Sequence, residues 1–296
     1  MSARPRGPIV HLYAMCWNEA HLLPFFFRHY EPWVQRFVIY DNGSTDETRA
    51  LLAAKPNVAL REFPWSDPDS FVASHRALHN SCWRESKGKA DWVVVTAIDE
   101  HLHHPDIQGY LRRCAARGIT CIPALGYQMV TKDFPGPDEW LAKTRSWGVP
   151  MAAMSKLRLF DPAAVEPNIG IGGHGALPGG RVVYPRRDEL LLLHYKDLGI
   201  DYRAGRDALL RTGLRAGDRA RNWGNHYEMR PEHLQSYFDY LWANAVDVRG
   251  RGYVPWRDHR EPRFWRTEKK QRSLAQRIRR LVRKAWGRPA QPPTKG

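Results

Sequence analysis

Cysteine is scarce in this chain. There are four in 296 residues (Cys16, Cys82, Cys114 and Cys121), and no two form a Cys-x-x-Cys pair. That argues against a disulfide framework and a cysteine zinc site, and suits free thiols in a reducing cytosol. Long apolar runs are missing too: none approaches the roughly 20 residues a membrane-spanning helix needs. Residues 1–8 carry no apolar h-region, so no secretory signal is expected. Acidic residues are the minority, 31 Asp/Glu against 46 Lys/Arg, for a net charge of +15. The excess is uneven. Residues 267–296 hold ten Lys/Arg and one Glu, which is +9 of the total and leaves the body only moderately basic.

What is present describes a soluble globular protein, 43% hydrophobic and 26% charged. Residues 9–16, 36–41, 58–63 and 91–98 read as buried strands, and 119–130 as a further extended segment. Helical patterns over 20–30, 45–54, 71–86 and 105–117 alternate with them. Strand and helix in alternation with short connections predict an α/β fold with a mostly parallel central sheet and flanking helices. The pattern fails over 131–150, where Pro135-Gly136-Pro137 suggests a long functional loop. Later strands are expected at 157–160, 181–184 and 189–195, mixed or antiparallel, and helices at 201–216 and 232–248. A single domain over 1–266 is expected, with 1–130 as a nucleotide-binding half and 131–266 as an acceptor half with C-terminal helices. A tail follows over 267–296.

Polar clusters close three of the predicted strands. Trp17-Asn18-Glu19 ends the first, Asp41-Asn42-Gly43-Ser44-Thr45-Asp46-Glu47 the second, and Asp99-Glu100 the strongest. Ser44 is a natural N-cap, and Glu47 three residues on completes a capping box. Open α/β sheets bind ligands at the carboxyl ends of their strands, where helix amides favour a phosphate. Each cluster alone is more simply a turn or a helix-start charge. Together on one edge they favour a nucleotide pocket, with Asp99 able to hold Mg²⁺ or Mn²⁺ through oxygen.

His101, His103 and His104 lack the wider ligand spacing of a zinc site and read as surface or supporting side chains. Residues 170–175 match G-x-G-x-x-G, but Pro178-Gly179-Gly180 stands where the helix should start, so no dinucleotide site is expected. His174 in that glycine loop is a second candidate for the metal. His194 ends the apolar run Leu190-Leu191-Leu192-Leu193 and is the first. Within the tail, Leu274, Ile278, Leu281, Val282, Ala285 and Trp286 recur at helical spacing opposite an arginine-rich face. Over 271–287 this is the pattern of an interfacial helix on anionic lipid. A nucleic-acid-binding arm is the competing reading. A nucleotidyltransferase would need a glycine- and lysine-rich phosphate loop, which Trp17-Asn18-Glu19 does not supply.

Met15-Cys16-Trp17-Asn18-Glu19, Tyr40-Asp41-Asn42-Gly43-Ser44-Thr45-Asp46 and Ile98-Asp99-Glu100, in this order, resemble the family 2-like bacterial glycosyltransferases. The resemblance covers 9–105 well and extends loosely to about residue 199. It implies a Rossmann-like GT-A fold, a nucleotide-diphosphate sugar donor, a saccharide or lipid-linked acceptor, and Mn²⁺ or Mg²⁺. By position it assigns Trp17, Asn18, Glu19, Asp41, Asn42, Ser44 and Asp46 to the donor, and Asp99 with His194 to the metal. Asp138 and Glu139 are the acids available to deprotonate an acceptor hydroxyl. The chain departs from the family's Asp-x-Asp motif at Ala97, where the first acid should stand. A catalytically weakened donor-binding relative therefore stays open, as does a nucleic-acid-binding protein, although no nucleic acid is expected. The expected location is cytoplasmic, with the tail drawing the protein to the inner face of the plasma membrane.

Overall fold

Val10–Cys16 forms strand β1, and every side chain but Met15 is buried, as a strand covered on both faces requires. The computed structural model describes residues 7–224, 227 and 231–266. Two units are distinguished, Met1–Glu261 and Pro262–Gly296. The described part of the second is a short segment ending in one helical turn, 264–266. The fold described below is that of the first.

After β1 come α1 (Leu23–Tyr30), β2 (Arg36–Asp41), α2 (Thr48–Ala53), β3 (Val58–Glu62), α3 (Phe71–His79) and β4 (Trp92–Ala97). The four strands stand in the order β3-β2-β1-β4, all parallel. This is the parallel half expected from strand–helix alternation, and it is Rossmann-like, as the resemblance implied. Pro24 sits in the first turn of α1, where it removes no helical hydrogen bond. β1 lies in the middle, with Cys16 beside Asp41 on one side and Met15 beside Ala97 on the other. All three polar clusters therefore do reach one sheet edge.

The second half is mixed. It contains β5 (Glu100–His103), α4 (Ile107–Ala116), β6 (Cys121–Thr131), α5 (Leu141–Thr144), β7 (Trp147–Pro150), β8 (Lys156–Phe160), β9 (Val165–Glu166) and β10 (Gly179–Gly180). Then follow β11 (Leu191–Leu198), α6 (Ile200–Thr212), α7 (Ala216–Ala220), α8 (Pro231–Asn244), β12 (Val246–Asp247) and α9 (Pro255–Asp258). β8 continues the sheet antiparallel to β4, and β6, β7 and β12 extend it. β11 runs parallel to β6 and antiparallel to β5. A small cluster of Val130, Val149, Leu234, Phe238 and Leu241 packs α8 onto this half.

Four expectations are corrected. Residues 181–184 are not a strand, although the Val183 carbonyl accepts the amides of Thr120 and Cys121. The supposed loop over 131–150 ends in α5 and β7. His101 is buried and stacks on His29 with ring centroids 4.6 Å apart, so it is a core residue rather than a surface one. The helix expected from Thr45 starts at Thr48, for a reason that lies in the site. The tail at 267–296 lies outside the described residues.

Candidate active site

Asn18 ends β1 in the left-handed region (φ 52) and ties its loop to the one after β2. Its Oδ1 accepts the amides of Thr45 (2.7 Å) and Asp46 (3.4 Å), and its own amide donates to Ser44 Oγ (2.8 Å). The Glu19 amide donates to Thr48 Oγ1, and Asp46 accepts from Ala20 and Thr48. The capping box is thus not formed: Ser44 serves Asn18, and Glu47 makes no side-chain cap. Pairing between the loops takes the groups that local capping would use. It also fills the Thr45 and Asp46 amides that sequence reasoning offered to a phosphate.

Asp41 is fully buried. Its carboxylate accepts from the Ser44 amide, from Cys16 Sγ (3.7 Å) and from Arg49 Nη1 (2.6 Å), which also reaches Glu62. Beside it opens a cavity of about 420 Å³ lined by Trp17, Asp41, Asn42, Glu62, Phe63 and Trp65, closed by Gly213 and Arg215 beyond α6. Arg215 lies over the Trp65 ring at 4.8 Å. Gly213 packs on Trp17 so closely that a Cβ there would sit 2.8 Å from the indole. Aromatic faces with a carboxylate and an amide suit a planar, hydrogen-bonding heterocycle. Phe63, Trp65 and Arg215 were missed from the sequence; the aromatics just after the third strand were the available signal.

The Asp99-Glu100 pair divides. Asp99 turns to His194, with Oδ2 3.2 Å from Nε2. A bulge in β11 between His194 and Asp197 presents that ring, and the Tyr195 amide donates to the Asp99 carbonyl (2.7 Å). Gln128 Nε2 donates to Asp197 Oδ2, which leaves Gln128 Oε1 to accept His194 Nδ1–H (2.7 Å). His194 Nε2 therefore faces the Asp99 carboxylate with its lone pair or its proton. Burial would raise the Asp99 carboxyl, but His194 and Lys196 outweigh it and hold it below the usual range. Two cis ligands on a six-coordinate ion with bonds of about 2.1 Å stand about 3 Å apart. The Asp99–His194 spacing fits that. Among the described residues no group of three or more His, Cys, Asp or Glu side chains is placed to hold a metal. An ion here would complete its shell with water and substrate oxygens.

Glu100 turns inward and is 2% exposed. Lys156 Nζ (2.8 Å) and Arg158 Nη2 (2.9 Å) meet its Oε1, and Arg158 Nε lies 2.8 Å from Oε2. Desolvation pushes its carboxyl up, yet Arg158 and Lys156 hold it well below the ordinary value.

Helix α6 crosses this edge and supplies side chains no motif announced. Arg206 pairs with Glu19 and donates to the carbonyls of Trp17 (3.2 Å) and Asn18 (3.0 Å), fixing the β1 loop. Burial pushes the Glu19 carboxyl up to about 8, with Arg206 pulling the other way. Arg203 bridges Asp197 and Asp207, Lys196 lies 3.4 Å from Asp207, and Tyr202 meets His21 at 3.1 Å.

The remaining candidates sit elsewhere. Glu139 gives its carboxylate to Arg145 (2.6 and 2.8 Å), Thr144 and the Gly136 amide. Arg145 holds it down to about 2, a poor proton acceptor. Asp138 is fully exposed, 3.9 Å from Arg28. His174 Nδ1 lies 2.6 Å from the Ala153 carbonyl, and the nearby Lys156 and Arg158 make poor surroundings for a metal cation.

Residues 18–147 match the model of the family described as Glycosyltransferase family 92. No curated protein matches the chain in sequence. Among solved structures, the chain is similar to S. aureus TarS 1-349 at 10% identity, over 52% of this chain and 47% of that one, with a TM-score of 0.30. It is also similar to a mycobacterial protein at 22% identity, over 41% and 42%, with a TM-score of 0.28. The chain thus spans less than half the length of these two. The matched stretch, 18–147, is thus similar to a glycosyltransferase family. The family matched is 92, so the resemblance to family 2 holds at the level of glycosyltransferases and no finer.

Proposed function

We propose that the chain transfers a sugar from a nucleotide-diphosphate sugar to a hydroxyl of a saccharide or lipid-linked acceptor, in a GT-A-like arrangement serving bacterial surface polysaccharide or glycolipid assembly. The observation that carries this is the aromatic cavity of about 420 Å³ with Asp41 at its wall, on the same sheet edge as Asp99 and His194. Trp17 and Trp65 stack the base, and Asn42 meets its polar edge or the ribose, while the buried Asp41 holds the Ser44 amide and Arg49 behind the wall. Asn18, Ser44 and Asp46 hold the loops rather than the ligand. Arg206 keeps the β1 loop in register with α6, so the base and the reacting end are positioned together.

Asp99 and His194 would hold Mn²⁺ or Mg²⁺, which when bound supplies positive charge against the leaving diphosphate. Asp197 and Gln128 orient the His194 ring for that role. A thermal-shift screen of uridine, guanosine, cytidine and thymidine diphosphate sugars, with and without Mn²⁺, tests the reading. One donor should stabilise the protein, and more so with the ion. No shift with any donor overturns it.

A second reading, donor binding with weak or no transfer, is favoured by Ala97. Its side chain brings no oxygen, and the neighbouring Glu100 is spent on Lys156 and Arg158. Release of free nucleoside diphosphate from the stabilising donor separates the two. Membrane docking through 271–287 belongs to the first reading, and liposome flotation with and without that segment checks it. Equal recovery removes the membrane claim.

A further inference from the structure

The charge around Glu100 does not close. Lys156 is 4% and Arg158 2% exposed, and among the described residues the one carboxylate in contact with both is Glu100. Asp99 acts on Lys156 only from a distance and is already turned to His194. The titratable rings nearby are His75, His79 and His174, and none can supply negative charge. Arg158 Nη1 is buried with no hydrogen-bond partner, and Lys156 Nζ uses one of its three N–H groups. A surplus buried cation with unused donors is costly unless an anion joins it.

Over Arg158 lies the glycine loop 170–175. Its base is pinned, since Gly170 donates to the Gly175 carbonyl (3.1 Å) and Asn80 brackets Ile169 through both amide atoms. Its tip has one tie outside the loop, His174 Nδ1 2.6 Å from the Ala153 carbonyl, and its Gly173 and His174 amides bond only within the loop. Gly172, Gly173 and Gly175 are left-handed, and Ile171 is exposed. Gly173 lies flat on the guanidinium, where a Cβ would stand 2.5 Å from Nη2 and 2.8 Å from Nη1. A pinned base with a glycine tip over unpaired donors is the construction of a lid.

Lys156 opens β8, which runs antiparallel to β4 and so starts where β4 ends. The base cavity lies at β2 and β3, on the other side of β1 and β4. Three strand spacings of about 4.8 Å separate β2 from β8, about 14 Å along the edge. That span carries a nucleotide-sugar from its base past its diphosphate.

We propose that Lys156 and Arg158, under the 170–175 lid, form a site for an oxyanion, a carboxylate or phosphate group borne by the sugar donor or by the acceptor. The assignment of that oxyanion to a glycosyl substrate rests on the proposed function; the site itself does not.

The test uses the full chain and Lys156→Met, which leaves Arg158 and Glu100 as a balanced pair. Thermal shift is read with inorganic phosphate and with glucuronate, against chloride and glucose as controls. One or both oxyanions should stabilise the wild type, glucuronate pointing to an acidic sugar and phosphate to a phosphorylated substrate. Lys156→Met should melt no lower than wild type and bind the same probe about tenfold or more weakly. An equal response in wild type and variant, or no response in wild type, overturns the proposal. Uridine, guanosine, cytidine and thymidine diphosphates, read separately, report on the base cavity. Their failure with oxyanion binding intact would remove the proposed function and leave this site standing.

Discussion

At the β1–β2 end of the sheet edge, Asn18, Ser44, Asp46 and Thr48 interlock two short loops through neutral or singly charged hydrogen bonds, much of it near solvent. At the β4–β8 end, Glu100, Lys156 and Arg158 meet in the interior, and Asp99, His194, Gln128 and Asp197 form a chain beside them. The first end tolerates the loss of one contact because water can replace it. The second cannot, since a buried charge that loses its partner has nothing to turn to. Under the proposed sugar transfer, an adaptable base end and a rigid reacting end suit a reaction in which the base is only held and the sugar must be aimed.

The sharpest way to break that contrast is Glu100→Gln. It strands two buried cations and should cost about 3–5 kcal/mol of stability in denaturant unfolding. A loss under about 1 kcal/mol would place the reacting end on the same footing as the loops.

Acid should weaken the same end next. His29 Nε2–H donates to the Leu102 carbonyl of β5 (2.8 Å) and the ring stacks on His101, and burial pushes its pKa down to about 4. The unfolded chain takes up a proton near pH 6.5 that the folded chain refuses until about 4, so stability falls as pH drops through that window. The loss is up to about 3 kcal/mol for this ring. A flat urea midpoint between pH 7 and 4.5 would contradict it.

Trp17→Ala acts at the other end. It should weaken nucleoside diphosphate binding about tenfold, the size of one lost stacking partner, while the melting temperature moves little. Binding read by calorimetry that does not change would move the base out of this cavity.

Ala97→Asp has the smallest expected effect and joins the two ends. It restores an oxygen beside Asp99 and should raise metal-dependent donor affinity by a few-fold. Unchanged affinity in a titration with Mn²⁺ would show that the lost acid is not what limits the site.

Much of the fold was legible because its signals are short-range. The apolar run Trp92–Ala97 is buried up to Thr96, Arg36–Asp41 falls on its expected bounds, and Pro24 sits where a first helical turn accepts it. The capping box at Ser44 misled for the converse reason. A competing donor, the Asn18 amide, comes from a loop 26 residues away in sequence. Glu139 misled likewise, since nothing local shows that Arg145 will take its carboxylate.

The polar stretch after β2, with Asn18-Glu19 before it and Asp99-Glu100 after it, was determined by sequence alone as one edge of a parallel sheet. Strand periodicity and strand–helix alternation are enough to bring successive strand ends together. Only the tertiary structure decided what each group does there. Glu19 meets Arg206 across 187 residues, and Glu100 meets Lys156 across 56. Which carboxylate is spent on an ion pair and which is left for a ligand depends on burial and on distant partners, and neither is encoded in the local pattern.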